Sequence, residues 1–151
     1  MQDGEPTGKE VPILHEKNVL LVEDCPEDAE KYAAILVAAG ARVESVGSLG
    51  AALQALANRR WDLLLTDRLL PDGDMFEWLR RQHRDHGSGA WLPACVLVSR
   101  HMDPDTYRLV YELGALPLPK HYILHADVLM AAIDSAFAFA MRRANGEVDP
   151  R

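Results

Sequence analysis

The chain reads as an α/β domain built on a parallel sheet. Five short apolar runs of strand length predict it, together with a segment of helical period after each and acidic residues at the ends of two of the runs. A run without polar alternation, such as Leu63-Leu64-Leu65, suits a strand buried on both faces, the condition of a parallel sheet covered by helices. Parallel neighbours need long crossovers, and helices supply them in right-handed form.

The first strand is 18–23 (NVLLVE), and 26–39 then sets Ala29, Tyr32, Ala33, Leu36 and Ala39 on one helical face before Gly40. Residues 42–46 alternate like a shorter strand, Ser48 is an N-cap, and Leu49, Ala52, Leu53 and Leu56 make a second stripe ending near Asn58. The third strand is 62–66, followed by a helix marked by Phe76, Leu79 and His83 that runs out in the charged, glycine-containing stretch 84–89. The fourth strand is 94–98 (ACVLV). Pro104 opens a helix carrying Tyr107, Val110 and Tyr111, and Gly114 closes it. The fifth strand, 116–118, is weakened by Pro117 and Pro119, which donate no ladder hydrogen bond. A last helix, 126–143, turns Leu129, Ile133, Phe137 and Met141 inward. The domain is therefore 18–143, with a flexible N-terminal segment 1–17, a C-terminal tail 144–151 and no repeat or second-domain signal.

Composition agrees with one globular domain. At 151 residues and 48% apolar, the chain is large enough to bury roughly 70% of its unfolded surface without a disulfide or metal staple. A net charge of -7 with no basic run argues against nucleic acid, whose phosphates need clustered Lys and Arg. Cys25 and Cys95, the two cysteines, fit a reducing cytoplasm and free thiols. No segment reads as a signal peptide or a membrane span, so a cytoplasmic chain without membrane contact is expected.

Function is carried by the strand ends. Glu23-Asp24 ends one apolar run and Asp67 another, and open α/β sheets hold ligands at the carboxyl ends of their strands. Two such ends, both acidic, describe a metal and phosphate site. Ser99 follows the fourth strand, Lys120 the fifth, and Pro71 lies four residues past Asp67. Each feature taken singly has an ordinary explanation: a strand-end Asp as a turn residue, Glu23-Asp24 as a cap before Pro26, Ser99 as a loop hydroxyl, Lys120 as a solvated cation. Their order along the sheet is what distinguishes them.

In that order they resemble the receiver domains of two-component response regulators, the chemotaxis-regulator-like family, over 18–143. The resemblance implies a flavodoxin-like, doubly wound (βα)5 fold with strand order 2-1-3-4-5. It implies that Asp67 accepts a phosphoryl group from a sensor histidine kinase or phosphotransfer protein, that Glu23, Asp24, Asp67 and the backbone carbonyl of Leu69 hold Mg2+, and that Ser99 and Lys120 take phosphoryl oxygens. Such a chain is a phosphorelay signalling domain, at most transferring phosphate to and from itself, and otherwise not an enzyme. Mg2+ and Lys120 balance the three carboxylates before phosphate arrives.

Several residues depart from the family's pattern. Pro117 stands where receivers carry an aromatic that swings inward, His121 replaces the proline after Lys120, Arg100 follows Ser99 where small residues are customary, and Met75 replaces a glycine. Arg100 either obstructs the phosphate entrance or adds a ligand. Leu69 and His101 are expected to set the hydrolysis rate by controlling the approach of water. The pairs His121/His125 and His83/His86 lack a third zinc ligand and read as surface residues, and Trp61, Trp78 and Trp91 as packing residues. No glycine-rich phosphate loop supports a nucleotide.

The short flanks leave no room for an output domain, so a stand-alone or excised receiver is expected. Its output would be a contact with a downstream protein or a second copy through the face of helix 4, strand 5 and helix 5, where Val128, Met130 and Phe139 either extend an apolar surface or fill a broad core face. The competing functions are a degenerate receiver that binds partners without phosphorylation and a Mg2+-dependent phosphohydrolase. The latter is disfavoured by Leu69, where such an enzyme places a second Asp.

Overall fold

The computed structural model describes residues 12–87 and 92–144. In chain order the elements are β1 (Asn18–Val22), α1 (Pro26–Ala38), β2 (Arg42–Val46), α2 (Leu49–Asn58), β3 (Leu63–Asp67), β4 (Leu69–Leu70), β5 (Gly73–Asp74), α3 (Met75–His86), β6 (Ala94–Ser99), α4 (Pro104–Glu112), β7 (Leu116–Pro119) and α5 (Ala126–Ala144). A 3-10 turn, Lys120–Tyr122, joins the last two. Five strands form one sheet in the order β2-β1-β3-β6-β7, every pair parallel, which is the predicted 2-1-3-4-5 arrangement with the β4–β5 hairpin set aside.

Strand geometry turns alternate residues to opposite faces, and the core divides accordingly. Val19 and Leu21, Leu63 and Leu65, and Ala94, Val96 and Val98 meet Tyr32, Leu36, Leu129 and Ile133 beneath α1 and α5. Leu20 and Val22, Leu64, and Cys95 and Leu97 meet Ala52, Phe76, Leu79 and Val110 beneath α2, α3 and α4. Each fully buried Leu or Val of these strands contributes about 1.5–3 kcal/mol, so both faces hold the central strands in register.

Caps fix the helix starts. Ser48 accepts from the Ala51 N–H at 3.1 Å, Asp74 from Phe76 at 2.9 Å and Asp103 from Thr106 at 2.8 Å. Gly40 ends α1 with φ +101°, and a Cβ there would lie 2.9 Å from the His15 backbone, so glycine is required on both counts.

That close approach belongs to a difference from the expected flexible segment 1–17. Its described part is docked: Leu14 is fully buried, its N–H donates to the Ala39 carbonyl, and the Glu16 N–H donates to Gly40. The buried Leu14 side chain and these two backbone hydrogen bonds tie the segment to the end of α1. Residues 1–11, Trp91 and nearly all of the tail 144–151 lie outside the described residues.

Other differences are of register and face. The third strand is one residue later than expected, so Asp67 is its last residue, paired with Val98, rather than the residue after it. Ser99 likewise ends β6. Met141, expected inward, is 66% exposed, and Tyr107 is also exposed. Phe139, considered for a partner surface, is buried and stacked on Tyr111 with ring centroids 4.9 Å apart. Val128 and Met130 are partly buried against the core, so the three fill a core face rather than an apolar contact surface. The buried face of α5 runs through Leu129, Ala132, Ile133, Ala136 and Phe139 at helical spacing, and Met141 falls outside it. No helix among the described residues is long and apolar enough to cross a membrane.

Candidate functional site

The sheet register builds the site. Val22 pairs with Thr66, so the next residues on each strand, Glu23 and Asp67, emerge side by side at the carboxyl edge. Ser99 pairs with Pro119, which sets Lys120 one step beyond the same edge. Glu23, Asp67 and Ser99 are all buried, at 4%, 7% and 7% exposure, unusual for such polar groups unless they are paired.

They are paired. The Lys120 ammonium lies 3.0 Å from Asp67 Oδ2 and 3.1 Å from Glu23 Oε1, while the Cys25 N–H donates to Glu23 Oε2 at 3.0 Å. Asp24 is exposed, yet Glu23, Asp24 and Asp67 each present an oxygen within 4.8 Å of the others. Three carboxylates against one ammonium leave a formal charge of -3 + 1 = -2. Like charges at this separation repel by a few kcal/mol per pair at an effective dielectric of ~20. Burial, the hydrogen-bonding neighbour Glu23 and its charge together outweigh Lys120 and push Asp67 up to about 7. Burial alone would lower Lys120, but the hydrogen bond and charge of Asp67, then those of Glu23, carry it above its ordinary value. Tyr32 is raised to about 12, first by burial, against the pull of Lys120.

A compact set of hard oxygens with excess negative charge suits a divalent cation such as Mg2+. Among the described residues it is the one His, Cys, Asp or Glu cluster with this spacing, and neither His83/His86 nor His121/His125 joins a cluster. The set opens into a cavity of about 370 Å3 lined also by Leu69, Arg100 and His101. Ser99 Oγ donates to the His101 carbonyl at 2.8 Å, and Leu69 is 66% exposed beside Asp67.

The sequence reading missed Asp72. Its carboxylate accepts from the Leu49 and Gly50 N–H groups at 2.7 and 2.9 Å, capping α2 from a different element, and these donors lower its pKa. The β4–β5 hairpin that follows Asp67 is thereby tied to the start of α2. Leu69 pairs with Asp74 in that hairpin, and the Met75 N–H returns to the Arg68 carbonyl at 2.7 Å. Met75, fully buried, fills the space beneath. Pro71-Asp72-Gly73 announces a turn in the sequence, but its docking partner is 23 residues away.

No protein-family model matches the chain. Probable transcriptional regulatory protein y4xI of Sinorhizobium fredii is 37% identical over 76 residues, 50% of this chain, and the chain spans only 32% of that protein's length. Among solved structures, a CheY-like response regulator receiver domain protein from Methanospirillum hungatei superposes with a TM-score of 0.68 at 21% identity, covering 84% of this chain and 98% of that one. The signal receiver domain of a signal transduction histidine kinase from Syntrophus aciditrophicus gives 0.67 at 24% identity over 89% of this chain and 99% of that one. The receiver domain of Francisella response regulator 1452 gives 0.70 at 14% identity, covering 82% and 98%. Sheet order, helix placement and these superpositions agree: the chain has the fold of the CheY-like receiver domains of response regulators.

Proposed function

We propose that the chain is a phosphoacceptor receiver of a two-component phosphorelay, taking a phosphoryl group on Asp67 from a histidine kinase or phosphotransfer protein in the cytoplasm. The observation that carries this reading is the convergence of Glu23, Asp24 and Asp67 at the carboxyl edge of β1 and β3, with Lys120 bonded to Asp67. Glu23, Asp24, Asp67 and the Leu69 carbonyl would hold Mg2+, which when bound neutralises the incoming phosphoryl group and holds it in line. An Asp67 oxygen then forms the bond to phosphorus as the donor's imidazole leaves. Lys120 moves from its carboxylate partners toward a phosphoryl oxygen, and the Ser99 hydroxyl exchanges the His101 carbonyl for another. Ser99 is therefore a lever on the loop after β6, and the altered surface recruits a downstream protein or a second copy.

A second reading, a module that binds partners without phosphorylation, is favoured by Pro117. It is buried and paired with Leu97 on the edge strand, where no ring can swing inward. Treatment with a small phosphodonor and Mg2+, read by intact mass, separates the two. Stoichiometric labelling lost in Asp67→Asn supports the phosphoacceptor, whereas a folded, unlabelled protein supports the module. Turnover of a free phosphoester would instead support the hydrolase.

A further inference from the structure

Two cavities meet at Lys120. One, about 370 Å3, holds Glu23, Asp24, Asp67 and Ser99. The other, about 330 Å3, lies toward α1 between Asp28, Tyr32 and His121. Only Lys120 and Arg100 line both, and in the Asp67 cavity they are joined by one further cation, Arg68, which is engaged with Asp74. The two shared cations are not equivalent. Lys120 is engaged with Glu23 and Asp67, whereas Arg100 is exposed and forms no ion pair among the described residues, although Asp24 and Asp28 border the same cavities.

Formal charge gives this difference a meaning. Before phosphorylation, the carboxylates Glu23, Asp24 and Asp67 with Mg2+ and Lys120 sum to -3 + 2 + 1 = 0, so the site around Asp67 offers Arg100 no uncompensated charge, and Asp28 lines only the neighbouring cavity. After it, Asp67 carries a dianionic phosphoryl group in place of its single charge. The sum becomes -1 - 1 - 2 + 2 + 1 = -1. One further positive charge at the entrance restores neutrality, and a guanidinium presents a planar fork that matches two phosphoryl oxygens. Arg100 also adjoins Ser99, whose hydroxyl is bonded to the loop at His101, so a side chain drawn inward would move the same loop.

We propose that Arg100 is a phosphoryl ligand specific to the modified state, completing with Lys120 and Ser99 an anion clamp around the group on Asp67, rather than a plug over the entrance. This rests on the phosphoacceptor reading above. The test uses beryllium fluoride, which mimics the phosphoryl group on a carboxylate, titrated in the presence of Mg2+ and followed by fluorine NMR on the full chain. Arg100→Ala should weaken beryllium fluoride binding about tenfold, and Arg100→Lys less, because charge is kept and the fork lost. Mg2+ affinity measured without fluoride should stay within about twofold in both variants, a result that a general structural effect would not give. Equal or tighter beryllium fluoride binding by Arg100→Ala overturns the proposal and makes Arg100 an obstruction or a solvated cation. If the unmodified sequence binds no beryllium fluoride with Mg2+ present, the phosphoacceptor reading fails and the clamp falls with it.

Discussion

Lys120 Nζ lies 3.0 Å from Asp67 Oδ2 across a sequence separation of 53 residues, and the same ammonium reaches Glu23. One cation thus serves two buried carboxylates, with Asp24 close by, an arrangement that favours a proton on Asp67. Asp67 carries the strain, its pKa raised from 3.8 to about 7.

Without divalent cations, Asp67 should destabilise the fold as it ionises. Its folded pKa lies above its unfolded one, so the native state holds the proton more tightly and loses stability as pH rises from about 4 to about 7. Asp67→Asn removes that charge and should raise the melting temperature at pH 8 by several degrees, about 2–4 °C for each kcal/mol in a domain of this size, with little change at pH 4. Thermal melts at the two pH values check it, and an equal effect at both would sink the assignment.

Mg2+ should compete with the same proton. Below pH 7 the cation must displace it, so affinity should rise about tenfold per pH unit up to about 7 and flatten above, and the slope should vanish in Asp67→Asn. Calorimetric titrations across this range measure it.

Asp72 should stabilise α2 from outside it. Asp72→Ala leaves the Leu49 and Gly50 N–H groups without their acceptor and should lower the melting temperature and speed amide exchange in the first turn of α2. Because the bound carboxylate's pKa is depressed, its contribution is present above the usual 3.8 and is lost as pH falls through the folded value, so the gap between the two proteins should close in acid.

Phe139, buried, and Met141, exposed, near the end of α5 give a direct contrast. Phe139→Ala should cost about 3–5 kcal/mol by emptying a packed site, and Met141→Ala within about 0.5 kcal/mol. Urea unfolding of the two variants decides it, and similar costs would contradict the stacking on Tyr111.

If Asp67 accepts a phosphoryl group as proposed, hydrolysis of the acyl phosphate should respond to Leu69 and His101, which line the cavity. Leu69→Asn, placing a water-binding group beside the acceptor, should change the dephosphorylation rate severalfold, and His101→Ala likewise. Unchanged decay in both variants would remove them from the control of water access.

The sequence alone determined the strands, the helices between them and the acidic strand ends, because these follow from local regularities, whereas the strand order came only with the resemblance to receiver domains. Continuous apolar runs define strands buried on both sides, helical stripes define the layers, and a carboxylate after such a run can only sit at a strand end. Tertiary structure decided what depends on distant partners. Phe139 met Tyr111 of α4, Asp72 found the start of α2, and Leu14 closed over the end of α1. Lys120 was legible as a cation at the right edge. Its bond to both Glu23 and Asp67, and with it the raised pKa of Asp67, required β1, β3 and β7 to be folded into one sheet, since burial and electrostatic coupling belong to the assembled edge and to no segment of the chain.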